Sequence, residues 1–125
     1  MAEKSVAQKL WIKPGQRVRL VRPPENAPVL LGELPAGAVQ VEDGPAEVTL
    51  IFLRSRAEME AHLPGLKAQL DAGGALWVAY VKGTSRLHGD IHRDSINAYA
   101  GTLGMTGVMM ISIDDEWSAL RLKLS

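Results

Sequence analysis

Four residues hold the anion-binding chemistry that the sequence gathers in one neighbourhood: Lys82, Ser85, Arg93 and Asp114. Lys82-Gly83-Thr84-Ser85 follows the apolar run Leu76–Val81, and Asp114-Asp115 follows Gly107–Ile113. Arg22 and Arg54-Ser55 close two further apolar runs, so each of these groups stands where a strand ends. In a parallel sheet, the loops at the carboxyl ends of the strands surround the natural ligand crevice. Arg93 joins them by helical phase, being i−3 and i−7 from Ile96 and Ala100, and so continues their inward stripe into the first turn of a helix. A cation in a first turn opposes the helix dipole, so a carboxylate or bound anion is expected beside it. Arginine offers a planar bidentate fork and lysine a point charge, a pairing suited to phosphate or carboxylate. Ser85 would add one hydrogen bond and Asp114 would orient Arg93. A purely structural reading is equally concrete: Arg93 pairs with Asp114 or Asp115, Asp90 caps the helix, and Gly83-Thr84-Ser85 is a loop. Both stay open at the level of sequence.

Other chemistries are poorly served. The chain has no cysteine, which removes disulfides, thiolate nucleophiles and sulfur-ligated metals. His88 and His92 are four apart, but Gly89 and Asp90 lie between them, no other histidine or carboxylate stands three residues from His62, and Asp94 or Asp90 is the only local offer of a third ligand, so no metal is expected. No glycine-rich phosphate loop ending in Lys-Ser/Thr occurs, and neither Ser85 nor Ser118 has a histidine placed as its base. Fourteen basic residues balance fourteen acidic ones, giving a formal net charge of zero and no long-range pull on nucleic acid or an anionic membrane. The start MAEKSVAQKL is too charged for a signal peptide, and no apolar run approaches the length of a membrane span. A soluble cytoplasmic protein is the expectation.

These residues must be positioned by a modest number of elements. A chain of 125 residues, 46% of them hydrophobic, suits one compact domain spanning 1–125 with a real core. Arg17–Arg22 alternates Val18 and Leu20 against Arg17 and Arg19, and the diproline Pro23-Pro24 stops it. Val39–Glu42 is a short second strand ending in the turn Asp43-Gly44-Pro45. Val48–Leu53 and Leu76–Val81 are almost continuously apolar, as strands covered on both faces are. Between them Ser55 and Glu58 form a capping box, and Met59, Leu63, Leu66 and Leu70 make one helical stripe, which Pro64-Gly65 is expected to kink or split before Gly73-Gly74 leads into the next strand. A second crossover runs from the N-cap candidate Asp90 through Ile91, Ile96, Tyr99, Ala100 and Leu103 to Gly104 as C′ residue. The runs GVMMISI and WSALRLKL are separated by only Asp114-Asp115-Glu116 and therefore form an antiparallel hairpin. Trp11, Trp77, Trp117, Tyr80 and Tyr99 read as core and interface residues, and Trp117 either lids the crevice or, the favoured reading, anchors the hairpin. The fold class is α/β: a three-layer, Rossmann-like, mostly parallel sheet with an interior first strand and a C-terminal antiparallel hairpin. Only Pro28–Leu34 is available as a helix between the first two strands, which leaves one sheet face open, or covered by Ser5–Ile12 or by another subunit. A homodimer is expected from that face, with the C-terminal strand as an alternative contact edge.

The motifs QKLWIKPGQRV, Arg54-Ser55-Arg56, LWVAYVKGTS, Asp90, Arg93-Asp94 and IDDEWSALR resemble a family of short bacterial proteins known only as a domain of unknown function. More broadly, Lys13-Pro14-Gly15, an acid at the end of the second strand (Glu42), Gly73-Gly74 and the closing hairpin resemble class I S-adenosylmethionine-dependent methyltransferases. Where that family has a glycine-rich loop after the first strand, this chain has Pro23-Pro24-Glu25-Asn26-Ala27-Pro28, and one strand and most of the first helix are missing. The resemblance therefore implies a truncated scaffold without its cofactor. Three functions follow as expectations: a non-catalytic binding or interaction module holding a small anionic ligand; an S-adenosylmethionine binder or methyltransferase-like enzyme, in which Glu42 accepts from ribose hydroxyls; and a structural homodimer.

Overall fold

The computed structural model describes residues 9–23, 25, 34–41, 46–68, 75–82, 91–113 and 116–124. Pro28–Glu33, Asp43-Gly44-Pro45, Leu70, Gly73-Gly74 and Asp90 lie outside the described residues. The elements are β1 (Arg17–Val21), β2 (Val39–Val41), β3 (Val48–Leu53), α1 (Arg56–Ala68), β4 (Ala75–Val81), α2 (Arg93–Thr102), β5 (Met105–Ser112) and β6 (Trp117–Leu124). They build one six-stranded sheet in the order β2-β1-β3-β4-β6-β5. The pairs β1–β2, β1–β3 and β3–β4 are parallel, while β6 is antiparallel to both β4 and β5. The strand after Gly104 thus runs in the same direction as β4, but the last strand of the hairpin is inserted between them. The C-terminal strand is therefore interior, and β5, not β6, forms the sheet edge.

The alternation of each strand divides the core into two layers. Ile51 and Leu53 of β3 and Leu76, Val78 and Tyr80 of β4 meet Met59, Leu63 and Leu66 of α1 and Ile96 and Ala100 of α2. Both helices therefore pack on the same face, each burying the stripe that its apolar spacing implies. Pro64 does not divide α1, which is one helix of 13 residues. The carbonyl that loses its partner belongs to exposed Glu60, where water can serve instead. The start of α2 is capped at His92 rather than at Asp90: the Ser95 hydroxyl accepts the His92 N–H at 2.9 Å and donates to the His92 carbonyl at 2.8 Å. Its end follows the expectation, with Gly104 at φ +79, a left-handed position where glycine has no Cβ to clash.

On the opposite face Val18, Leu50, Phe52, Trp77, Ala79 and Trp117 pack with Leu10 and Ile12 from the segment before β1. The Trp77 indole N–H donates to the Leu10 carbonyl at 3.2 Å, a buried bond that fixes this segment on the sheet. This face is thus covered in part by the chain's own residues 9–12. Among the described residues, no helix is long and apolar enough to cross a membrane.

Candidate functional site

The strand order reverses at β1, because the chain goes from β1 to β2 on one side and returns to β3 on the other. Open α/β sheets place ligands at such a switch point, outside the carboxyl ends of the strands. A pocket of about 270 Å³ lies there, lined by Arg22, Pro23, Phe52, Arg54 and Glu58. Arg22 and Pro23 follow β1, Phe52 and Arg54 belong to the end of β3, and Glu58 is in the first turn of α1.

The local sequence dictates how these side chains meet. Ser55 is the N-cap of α1 and its hydroxyl accepts the Glu58 N–H at 3.2 Å. The returning carboxylate passes the Ser55 amide and takes the Arg54 N–H at 2.7 Å instead. This leaves the second oxygen, Oε2, for the Arg22 guanidinium, and the two form an ion pair across the pocket. Arg22 reaches it from a left-handed backbone at φ 56, immediately before Pro23. His62, one turn further along α1, has Nε2 at 3.5 Å from Arg22 Nη1. The Arg54 guanidinium lies over the Trp117 ring, 5.7 Å from its centroid, and Trp117 is itself held edge-on by Phe52 at 5.2 Å and 87°. Trp117 is buried, as an anchor of the hairpin should be. No carboxylate among the described residues pairs with Arg54, so the pocket holds two guanidinium groups against one carboxylate.

The residues singled out in sequence at the other end of the edge are arranged differently. Lys82 Nζ donates to the Ser112 hydroxyl at 2.7 Å, and the Lys82 amide donates to the Glu116 carbonyl at 2.7 Å, tying β4 to the hairpin. Arg93 does not continue the inward stripe. Its side chain is 57% exposed, and its Nε lies 3.5 Å from Asp94. Its charge still reaches Tyr80, whose phenol is raised above its ordinary value by burial, with Arg93 and a Ser118 hydrogen bond pulling the other way. The Tyr80 hydroxyl donates to Met110 Sδ at 3.0 Å. Ser85, Asp114, Asp115 and Glu42 lie outside the described residues. No group of three or more metal-ligating side chains gathers among the described residues.

Arg22 and Arg54 are thus found where the ends of their strands put them, whereas Glu58, Phe52 and Pro23 were not read as site residues. Glu58 carried a visible signal, but a capping glutamate has two oxygens, and only the adjacency of β1 and β3 assigns the second one.

No family model matches the chain, and no curated protein matches its sequence. Solved structures do match in fold. The ribosomal protein L11 methylase from Lactobacillus delbrueckii subsp. bulgaricus superposes with a TM-score of 0.60 at 12% identity, over 94% of this chain and 74% of that one. A complex of DhpI with SAH gives 0.60 at 9% identity, over 90% and 78%. Magnesium protoporphyrin IX methyltransferase from Synechocystis PCC 6803 with bound SAH gives 0.59 at 11% identity, over 96% and 80%. The chain has a Rossmann-like, methyltransferase-like α/β fold, and at these identities the likeness speaks for the fold alone.

Proposed function

We propose that the chain is a non-catalytic binding module on a methyltransferase-like scaffold, which takes a small anionic ligand at the carboxyl edge of its sheet. The observation that carries this reading is the Arg22–Glu58 ion pair spanning the switch-point pocket. A glycine-rich turn after the first strand lets backbone amides approach a bound nucleoside. Here that turn begins with a bulky residue in a left-handed conformation, followed by a proline that has no amide proton to offer. Among the described residues the crevice is lined by the side chains of two arginines and one glutamate beside the apolar Phe52 and Pro23. The described residues at this turn therefore do not fit S-adenosylmethionine.

Basic groups stand along the edge at Arg22, Arg54, Lys82 and Arg93. The grouping of Lys82, Arg93, Ser85 and Asp114 remains a candidate for the anion beside the switch-point pocket, with Glu42 the ribose acid only if a nucleoside binds. Two measurements test the reading. Titration calorimetry with S-adenosylmethionine should give no heat of binding, and a dissociation constant in the low micromolar range would overturn the exclusion of the cofactor. Thermal melts with phosphate or a small carboxylate, at matched ionic strength, should show stabilisation. No shift with either would overturn the anionic ligand.

A second reading, compatible with the first, is self-association. It is favoured by the edge strand β5, which contains no charged residue or proline over Met105–Ser112 and leaves Val108 and Met110 about half exposed, at 50% and 48%.

A further inference from the structure

We propose that the switch-point pocket is a binding site for a small organic carboxylate, with Arg54 as its anchor and Glu58 as a built-in competitor for the second cation, Arg22. The inference rests on the anionic-ligand reading above and assigns it a place and a chemistry.

Three observations converge on it. First, the cation at Arg54 is prepared but unspent. Its guanidinium lies over the Trp117 ring, 5.7 Å from the centroid, and among the described residues no carboxylate reaches it. A guanidinium over the face of an indole is attracted by the ring while its N–H donors stay available for a bidentate acceptor. Second, the same pocket already receives a carboxylate, that of Glu58, which one oxygen ties to the Arg54 amide and the other to Arg22. The chain therefore shows the chemistry that Arg22 accepts. Third, the pocket pairs its polar lining with the apolar surfaces of Phe52 and Pro23, and about 270 Å³ has room for a small organic acid. Lys82 and Arg93 present no comparable arrangement, since Lys82 is engaged with Ser112 and Arg93 with Asp94 on an exposed surface.

The consequence for Glu58 is specific. A bound carboxylate on Arg54 stands beside the Glu58 carboxylate and shares the Arg22 cation with it, so the pocket is fully cationic only when Glu58 is neutral. Removing the Glu58 charge should then tighten binding even though it weakens an ion pair that holds α1 to β1. A residue with only a structural role would not behave in this way.

Benzoate serves as the probe, benzamide as its neutral analogue, and the assigned indole N–H resonance of Trp117 as the local reporter. Wild-type protein should show saturable benzoate-dependent shifts at Trp117 and none with benzamide. Arg54→Gln, which keeps the stem and loses the charge at an exposed position, should weaken benzoate binding at least tenfold with an unchanged fold. Glu58→Gln should strengthen it severalfold, with helical circular dichroism confirming that α1 persists on its Ser55 cap. Equal affinity in the wild type and Arg54→Gln would overturn the assignment, as would equal binding of benzamide. Loss of binding in Arg93→Gln with Arg54→Gln unaffected would place the anion at the other end of the edge, overturning this inference while leaving the anionic-ligand reading intact. Failure of the wild type to respond to benzoate and to phosphate alike would overturn both.

Discussion

Arg22 has its backbone at φ 56 directly before a proline, and its guanidinium sits on Glu58. The left-handed region costs an L-residue roughly 1–2 kcal/mol, and the residue before proline is ordinarily extended, so the ion pair and the end of β1 together hold an unfavourable geometry. Replacing the residue separates the two contributions. Arg22→Ala and Arg22→Gly both lose the ion pair, but only glycine relieves the backbone. In urea denaturation Arg22→Gly should be the more stable of the two by about 1 kcal/mol, and equal stabilities would show that the backbone carries no strain. A second charged contact gives a pH signature. The Arg17 side chain and its backbone N–H both donate to Glu47, the latter at 2.9 Å, and these hydrogen bonds, the side chain's foremost, hold the Glu47 carboxyl below its ordinary value of 4.5. A depressed folded-state value means that the stabilisation is present above the unfolded value and disappears as pH falls from 4.5 through the lower folded value. The difference in urea midpoint between wild type and Glu47→Gln should therefore be widest near neutrality, close on acidification and shrink in high salt, because the pair is solvent-exposed. A gap that does not change with pH would show that Glu47 acts through its shape alone.

At the scale of elements, Pro64 gives the sharpest test. α1 continues through it as one helix, so its missing N–H and ring are tolerated, not used to end the element. A proline inside a helix costs about 3 kcal/mol relative to alanine, while its stiffening of the unfolded chain returns at most about 1 kcal/mol. Pro64→Ala should thus stabilise the protein by about 2 kcal/mol in denaturant unfolding, and destabilisation would indicate a bend that the packing of Leu63 and Leu66 requires. What could be read from sequence follows the same logic of strong and weak local signals. β3 and β4 were legible because both faces are buried and their apolar runs are nearly unbroken, and α2 because Ile96, Tyr99, Ala100 and Leu103 keep helical phase up to a glycine at positive φ. Its start was not, because His92 is a weak cap by type and depends on Ser95 reaching back. The position of β6 was hidden for a different reason. Hairpin spacing specifies that β5 and β6 pair, but not which of them joins β4, and the mixed composition of β6, with Ser118 and Arg121, disguises a strand that is interior, while the more apolar β5 takes the edge. In the site, Arg22 and Arg54 could be found as residues at strand ends, whereas the pairing of Arg22 with Glu58 arises from two strands that meet only through the crossover.

For the whole molecule, the question is which surfaces remain for a partner once Lys9–Ile12 lie on the sheet. Leu10 and Ile12 are buried against one face of the sheet, so the chain itself covers part of that face. The edges are left. β2 has three residues and offers little backbone to pair with, but β5 has eight. Edge strands are normally guarded by charge, proline or a bulge. β5 has only the last, a register shift between Gly107 and Met109 that turns Val108 outward. An uncharged strand paired with its own copy across a two-fold axis brings no like charges together, and antiparallel pairing of β5 with a second β5 would extend the sheet continuously. Light scattering at micromolar concentration should then report a mass near twice 13.5 kDa. Val108→Lys places a charge at the centre of that edge and opposite its own symmetry mate, with little effect on the monomer because Val108 is half exposed. The variant should sediment as a monomer with an unchanged melting transition at low concentration, while the wild type shows a melting temperature that rises with concentration. A wild-type monomer across the same range, or a Val108→Lys protein that remains dimeric, would exclude β5 as the contact.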